Sequence, residues 1–114
     1  MIINSDALES YRDVMEEEAD AFIAEILDGF YSNSRDLMAT LDESLAADDV
    51  NTFIRAAHTL KSTAATVGAE RLSDLAADLE GRAGFDTLSE LAPTVETLKK
   101  AFAEAEAKLK ELYP

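Results

Sequence analysis

The stretch TLSELAPTVETLKKAFAEAEAKLKEL, residues 87–112, decides the fold. Its apolar positions are Leu88, Leu91, Val95, Leu98, Phe102, Ala105, Leu109 and Leu112. They alternate in steps of three and four, the period of an α-helix that buries one stripe against its neighbours. Thr87-Leu-Ser-Glu90 has the pattern of a capping box, and Pro93 is expected to kink the helix or tighten its first turns. Working back, Leu72, Leu75/Ala76, Leu79 and Ala83 predict a helix over Ala69 to Ala83, with Gly81 and Gly84 loosening its end. Phe53, Ala57, Leu60, Ala64 and Val67 predict another over Val50 to Val67, opened by Asp48-Asp49 and closed by Gly68. Ile23, Ile26, Leu27, Phe30, Leu37, Leu41 and Leu45 hold helical phase from about Ala19 to Ala47, and the polar Tyr31–Ser34 patch marks a potential break. A short segment, Ser5 to Met15, precedes it. Short connections make sequential helices antiparallel. The fold class is therefore all-α: an antiparallel up-down four-helix bundle, with the short extra N-terminal helix lying across one end. Residues 1–114 form a single domain.

Composition limits what such a bundle does. The chain has no cysteine, which fits a reducing compartment. Its first residues lack the basic start and apolar run of a signal peptide, and no apolar run is long enough to span a membrane. The expected location is the cytoplasm. The formal net charge is −14, from 24 acids against 10 bases. Phosphate backbones and anionic lipid would be repelled, so neither nucleic acid nor a membrane is an expected partner. The charge is uneven: between Arg55 and Arg71, Arg55, Lys61 and Arg71 face one acid, Glu70, a local +2 in a chain that elsewhere carries −16. The only histidine, His58, lies in this basic island.

His58 is one residue, about 100°, off the apolar stripe of its helix, at the edge of the bundle with its ring partly in water. Lys61, Ser62 and Ala65 follow on the same face, and Arg55 precedes it by one turn. A metal site would need a second ligand one turn away, where Ile54, Arg55, Lys61 and Ser62 stand instead. Ser62 has no strained turn and no oxyanion donors to make it a nucleophile. A neutral imidazole nitrogen is itself a nucleophile, and nearby cations stabilise an arriving phosphoryl dianion. The chemistry best explained is a phosphohistidine.

Ala57-His58-Thr59-Leu60-Lys61, the small residues after it, Gly68 and the leucine-rich helix ending Leu79-Glu80 together resemble the histidine phosphotransfer (HPt) domain. The resemblance runs over nearly the whole chain. It implies a four-helix bundle whose His58 accepts a phosphoryl group and passes it to or from an aspartate of a response-regulator receiver domain. It implies that Lys61 supports the phosphoryl group, with Ser62 standing where the family usually has glycine. It implies that Glu80 holds the other ring nitrogen and so fixes the tautomer. Arg55, Thr59, Ala65 and Arg71 are the candidate partner-docking residues, Arg71 as part of the same basic patch as His58. The implied partners are a receiver domain and a sensor histidine kinase or hybrid kinase. No cofactor or metal is expected on this chain, since Mg²⁺ would sit on the receiver's side. With no nucleotide-binding motif, the chain is a phosphocarrier rather than an enzyme, and a monomer is expected because every stripe is used internally. The alternative is an HPt-like docking module that binds a receiver or kinase without carrying phosphate, a reading that Ser62 favours. A hydrolase or metal protein is a distant third.

Overall fold

A computed structural model describes residues 2–114. Five α-helices follow one another: α1 (Asp6–Met15), α2 (Ala19–Ala46), α3 (Val50–Thr66), α4 (Glu70–Arg82) and α5 (Ala92–Leu112). Single 3-10 turns, Glu16–Glu18 and Leu88–Leu91, precede α2 and α5. Helices α2 to α5 form the up-down bundle, and the described chain measures 48 × 22 × 19 Å along its principal axes. No strand occurs among the described residues.

The stripes read from the sequence are the core. Phe53, Ala57, Leu60, Ala64 and Val67 are all buried, as are Leu72, Ala76 and Leu79 on α4 and Val95, Leu98, Phe102, Ala105 and Leu109 on α5. Only the last seam position, Leu112, is largely exposed. Burial of the Leu, Val and Phe side chains among them contributes roughly 1.5–3 kcal/mol each, set against the entropy of ordering the chain.

Two tight turns flank α3 and share one construction. After α2, the N–H of Asp48 donates to Leu45 O at 3.2 Å and that of Asp49 to Ser44 O at 2.8 Å. After α3, the N–H of Gly68 donates to Ala65 O at 3.1 Å and that of Ala69 to Ala64 O at 3.0 Å. This paired return of N–H groups to the last-turn carbonyls is the Schellman motif, and it requires a left-handed residue between the helices. Gly68 takes that conformation with φ +77°, and Asp48 with φ +54°. Asp49 then caps α3, its carboxylate accepting from Thr52 N at 3.2 Å and Thr52 Oγ1 at 2.7 Å.

The short α1 lies at the end of the bundle where α2 starts, α3 turns into α4, and α5 finishes. Leu8 is fully buried there, and Tyr11 packs edge-on against Phe22 with centroids 5.1 Å apart. Asn4 N donates to Gly68 O at 2.8 Å, and Tyr113 Oη donates to Glu9 Oε2 at 2.6 Å.

Two local expectations are corrected. Helix α2 runs unbroken through Tyr31–Ser34, because Ser34 turns into the core and is fully buried. The capping box at Thr87 does not form. The Thr87 side chain makes no cap bond, and Leu88 and Leu91 are pulled into the core as a 3-10 turn. Helix α5 starts at Ala92, which puts Pro93 in its first turn, where a missing N–H costs nothing.

Candidate functional site

The site is built across α3 and α4. Helix α3 carries His58 near its middle, with the side chain 59% exposed. Helix α4 returns antiparallel and brings Glu80, in its last turn, over the ring. Glu80 Oε2 lies 2.6 Å from His58 Nδ1, and Lys61 Nζ donates to Glu80 Oε1 at 2.9 Å. One carboxylate thus uses both oxygens, one for the imidazole and one for the ammonium.

Glu80 stands where its own helix does not favour it. A carboxylate beside the negative end of a helix dipole is disfavoured by about 0.3–1 kcal/mol. Its two partners on α3 offset that cost. The Lys61 hydrogen bond is the largest effect on the Glu80 carboxyl; partial burial opposes it, and the His58 bond adds to it, so that the group is held below its usual range. Glu80 is therefore ionised at neutral pH and can only accept. Nδ1 must then carry a hydrogen, and the neutral ring has its lone pair on Nε2. The side chain that carries it is 59% exposed.

The surrounding surface is low. Thr59, Ser62 and Ala65 are exposed on α3, and Arg55 is exposed one turn before the ring. The Ser62 carbonyl accepts from Thr66 Oγ1 at 3.1 Å, and the Ser62 hydroxyl is left to solvent. Arg71 does not join this group, contrary to the expectation of one basic patch. It precedes Glu80 by nine residues, about two and a half turns, so it leaves α4 from the opposite side. There it lies beside Ala101, Glu104 and Ala105 of α5.

One residue at the site was not singled out in the sequence. The Ser73 hydroxyl, on α4, donates to the backbone carbonyl of Lys61 at 2.9 Å. Among the described residues no three His, Cys, Asp or Glu side chains are grouped to hold a metal ion, and no helix is long and apolar enough to cross a membrane.

Comparison with known proteins bears on this arrangement. The family model described as the Hpt domain matches residues 25–112, a span that holds His58, Lys61 and Glu80. Among solved structures, the chain is similar to the histidine-containing phosphotransfer protein B (HptB) from Pseudomonas aeruginosa PAO1. The TM-score is 0.85 at 25% sequence identity, covering 98% of this chain and 94% of that one. No match was found among curated proteins.

Proposed function

This chain belongs to the Hpt domain family, and from that premise we propose that it is a phosphorelay intermediate that carries the phosphoryl group on His58 Nε2. The observation that carries the reading is the 2.6 Å contact between Glu80 and Nδ1, which leaves the lone pair on Nε2 of a largely exposed ring.

In the proposed step, the Nε2 lone pair attacks the phosphorus of an aspartyl phosphate on a receiver domain. The N–P bond forms as the P–O bond to the aspartate breaks, and its electron pair stays on the departing carboxylate. Nδ1 keeps its hydrogen, so the ring becomes a cation facing the Glu80 carboxylate. Transfer to a second aspartate reverses the sequence and returns a neutral ring. No proton has to enter or leave, and no general base is required. Lys61 is close enough to exchange its bond to Glu80 for one to a phosphoryl oxygen, and the Ser62 hydroxyl is available beside it. Arg55, Thr59 and Ala65 are the proposed docking residues on α3, Ala65 two turns beyond the ring, with Arg55 complementing the acids and Mg²⁺-binding pocket of a receiver. Arg71, on the far side of α4, would meet a partner only in a second contact. The donors and acceptors proposed are receiver domains and a sensor or hybrid kinase, met in the cytoplasm by a monomeric carrier without kinase activity or cofactor of its own.

The test is incubation with a phosphorylated receiver domain and Mg²⁺, reading intact mass and acid lability. An acid-labile adduct that is absent in His58→Gln supports the relay. Binding to a receiver without any adduct, unchanged in His58→Gln, would replace the relay with a docking module, the reading that Ser62 favours.

A further inference from the structure

We infer that Ser73 is a positioning residue, whose hydroxyl sets the register of α4 on α3 so that the Glu80 carboxylate meets Nδ1 of His58. The inference rests on the phosphocarrier reading for its consequence, but on geometry for its content.

Ser73 and Glu80 are seven residues apart, just short of two full turns, so they leave α4 along one edge. Both reach the same residue of α3. Ser73 Oγ donates to the Lys61 carbonyl at 2.9 Å, while Glu80 Oε1 accepts from Lys61 Nζ at 2.9 Å. The Lys61 carbonyl lies inside a continuous helix and has its intrahelical partner, so the Ser73 bond uses the second lone pair. It does not repair a backbone defect. What it adds is a directional tie between two helices.

The apolar part of the contact supplies less direction. Buried residues include Ala57, Leu60 and Ala64 on α3 and Leu72, Ala76 and Leu79 on α4. Apolar burial is non-directional, so the fine register is left to the turn at Gly68 and to the polar ties between the helices. A slide of one residue moves α4 by about 1.5 Å along its axis. That displacement stretches the 2.6 Å contact between Glu80 and Nδ1 to about 3.0 Å if it runs across the contact and about 4.1 Å if it runs along it, so the bond is weakened or lost. Ser73 lies two turns from Glu80 and resists that slide. Its effect on His58 passes through Glu80, since its own hydroxyl contacts only the Lys61 backbone.

His58 is the sole histidine, so selective ¹⁵N-histidine labelling gives one pair of ring signals from the intact chain. With the ring neutral, those signals report which nitrogen holds the hydrogen. Wild type is expected to show a protonated Nδ1. Ser73→Ala should shift the tautomer ratio toward a protonated Nε2 by roughly two- to tenfold, the range of one hydrogen bond's net worth. Labelling of His58 by phosphoramidate, a donor that needs no docking surface, should slow by a similar factor. Ser73→Thr should restore both. In a Glu80→Ala background Ser73→Ala should change neither. Alanine is the best helix former, so α4 is retained.

Wild-type ring signals and labelling rate in Ser73→Ala would overturn the inference, as would an effect that persists in full without Glu80. The two readings fail separately. If no donor phosphorylates His58 and Ser73→Ala still moves the tautomer, the relay falls and the positioning role stands. If receiver transfer is normal and the tautomer does not respond to Ser73→Ala, the positioning role falls and the relay stands.

Discussion

The carbonyl of Gly68 accepts the backbone N–H of Asn4 at 2.8 Å, and a Cβ built on Gly68 would come within 2.2 Å of the Asn4 carbonyl oxygen. The turn that ends the histidine helix is therefore also the seat of the N-terminal segment. Gly68→Ala meets two penalties at once, a left-handed backbone and a collision with rigid main chain. The expected cost is about 2–4 kcal/mol. Thermal unfolding followed by circular dichroism should show Tm lower by roughly 10 °C. An unchanged Tm would mean that α1 does not rest on this turn in solution.

Glu80 ties stability to acid. Its pKa is lowered in the folded chain, first by the Lys61 hydrogen bond and then by the His58 bond. The associated stability is present above the ordinary carboxyl value of 4.5 and is lost as pH falls through the lower, folded value. Glu80→Gln should therefore be less stable than wild type near neutral pH, by under about 1 kcal/mol after solvent screening. The two should converge as pH falls below 4.5 and through the folded value. Urea titrations at neutral pH and down through that range decide it. A constant gap between them would show that the carboxylate's charge is not what holds the contact.

Tyr113 has the opposite dependence. Burial, and next its bond to the Glu9 carboxylate, push its hydroxyl up to about 12 from 10.0. A raised pKa favours the protonated form, so the stability is fully present below pH 10 and is lost as pH rises toward 12. Wild type should lose stability more steeply than Tyr113→Phe across that alkaline window. Parallel curves for the two proteins would remove the link between α1 and the end of α5.

Ser62 offers a trade of opposite signs. Ser62→Gly in the exposed middle of α3 should cost about 0.5 kcal/mol of stability. It should also open the surface beside His58 and raise kcat/KM for transfer from a receiver. A tenfold gain would correspond to ~1.4 kcal/mol of relieved contact. If the glycine variant transfers more slowly, the serine hydroxyl is aiding the phosphoryl group rather than blocking the partner.

The sequence carried the bundle because its signal is redundant. Each long helix repeats its apolar position four times or more, so one irregular residue cannot hide the stripe. Local features had no such redundancy. Tyr31–Ser34 is polar as a string, but Ser34 lies in phase with the apolar side of α2 and follows it inward. At Thr87, the pull of Leu88 and Leu91 into the core outweighed a side-chain cap. His58 and Lys61 were legible from their shared helix face. Glu80 is one of 24 acids, and only the family resemblance distinguished it. Arg71 was placed by its nearness in sequence, whereas its azimuth on α4 takes it away from the ring. Ser73 gave no signal in isolation. Its significance lies in the near-integral number of turns that separates it from Glu80, and that matters only once α4 is known to lie against α3.

The bundle presents one histidine, and one nitrogen of it, on the flank of a rod about as long as its longest helix. A guest seated over that nitrogen covers it completely. Under the proposed function, a donor must therefore leave before an acceptor can arrive, and the two compete for a single berth. Turnover through the chain takes the ping-pong form. An excess of idle acceptor slows loading instead of speeding delivery, so the ratio of partners, more than their total amount, sets the flow of phosphate.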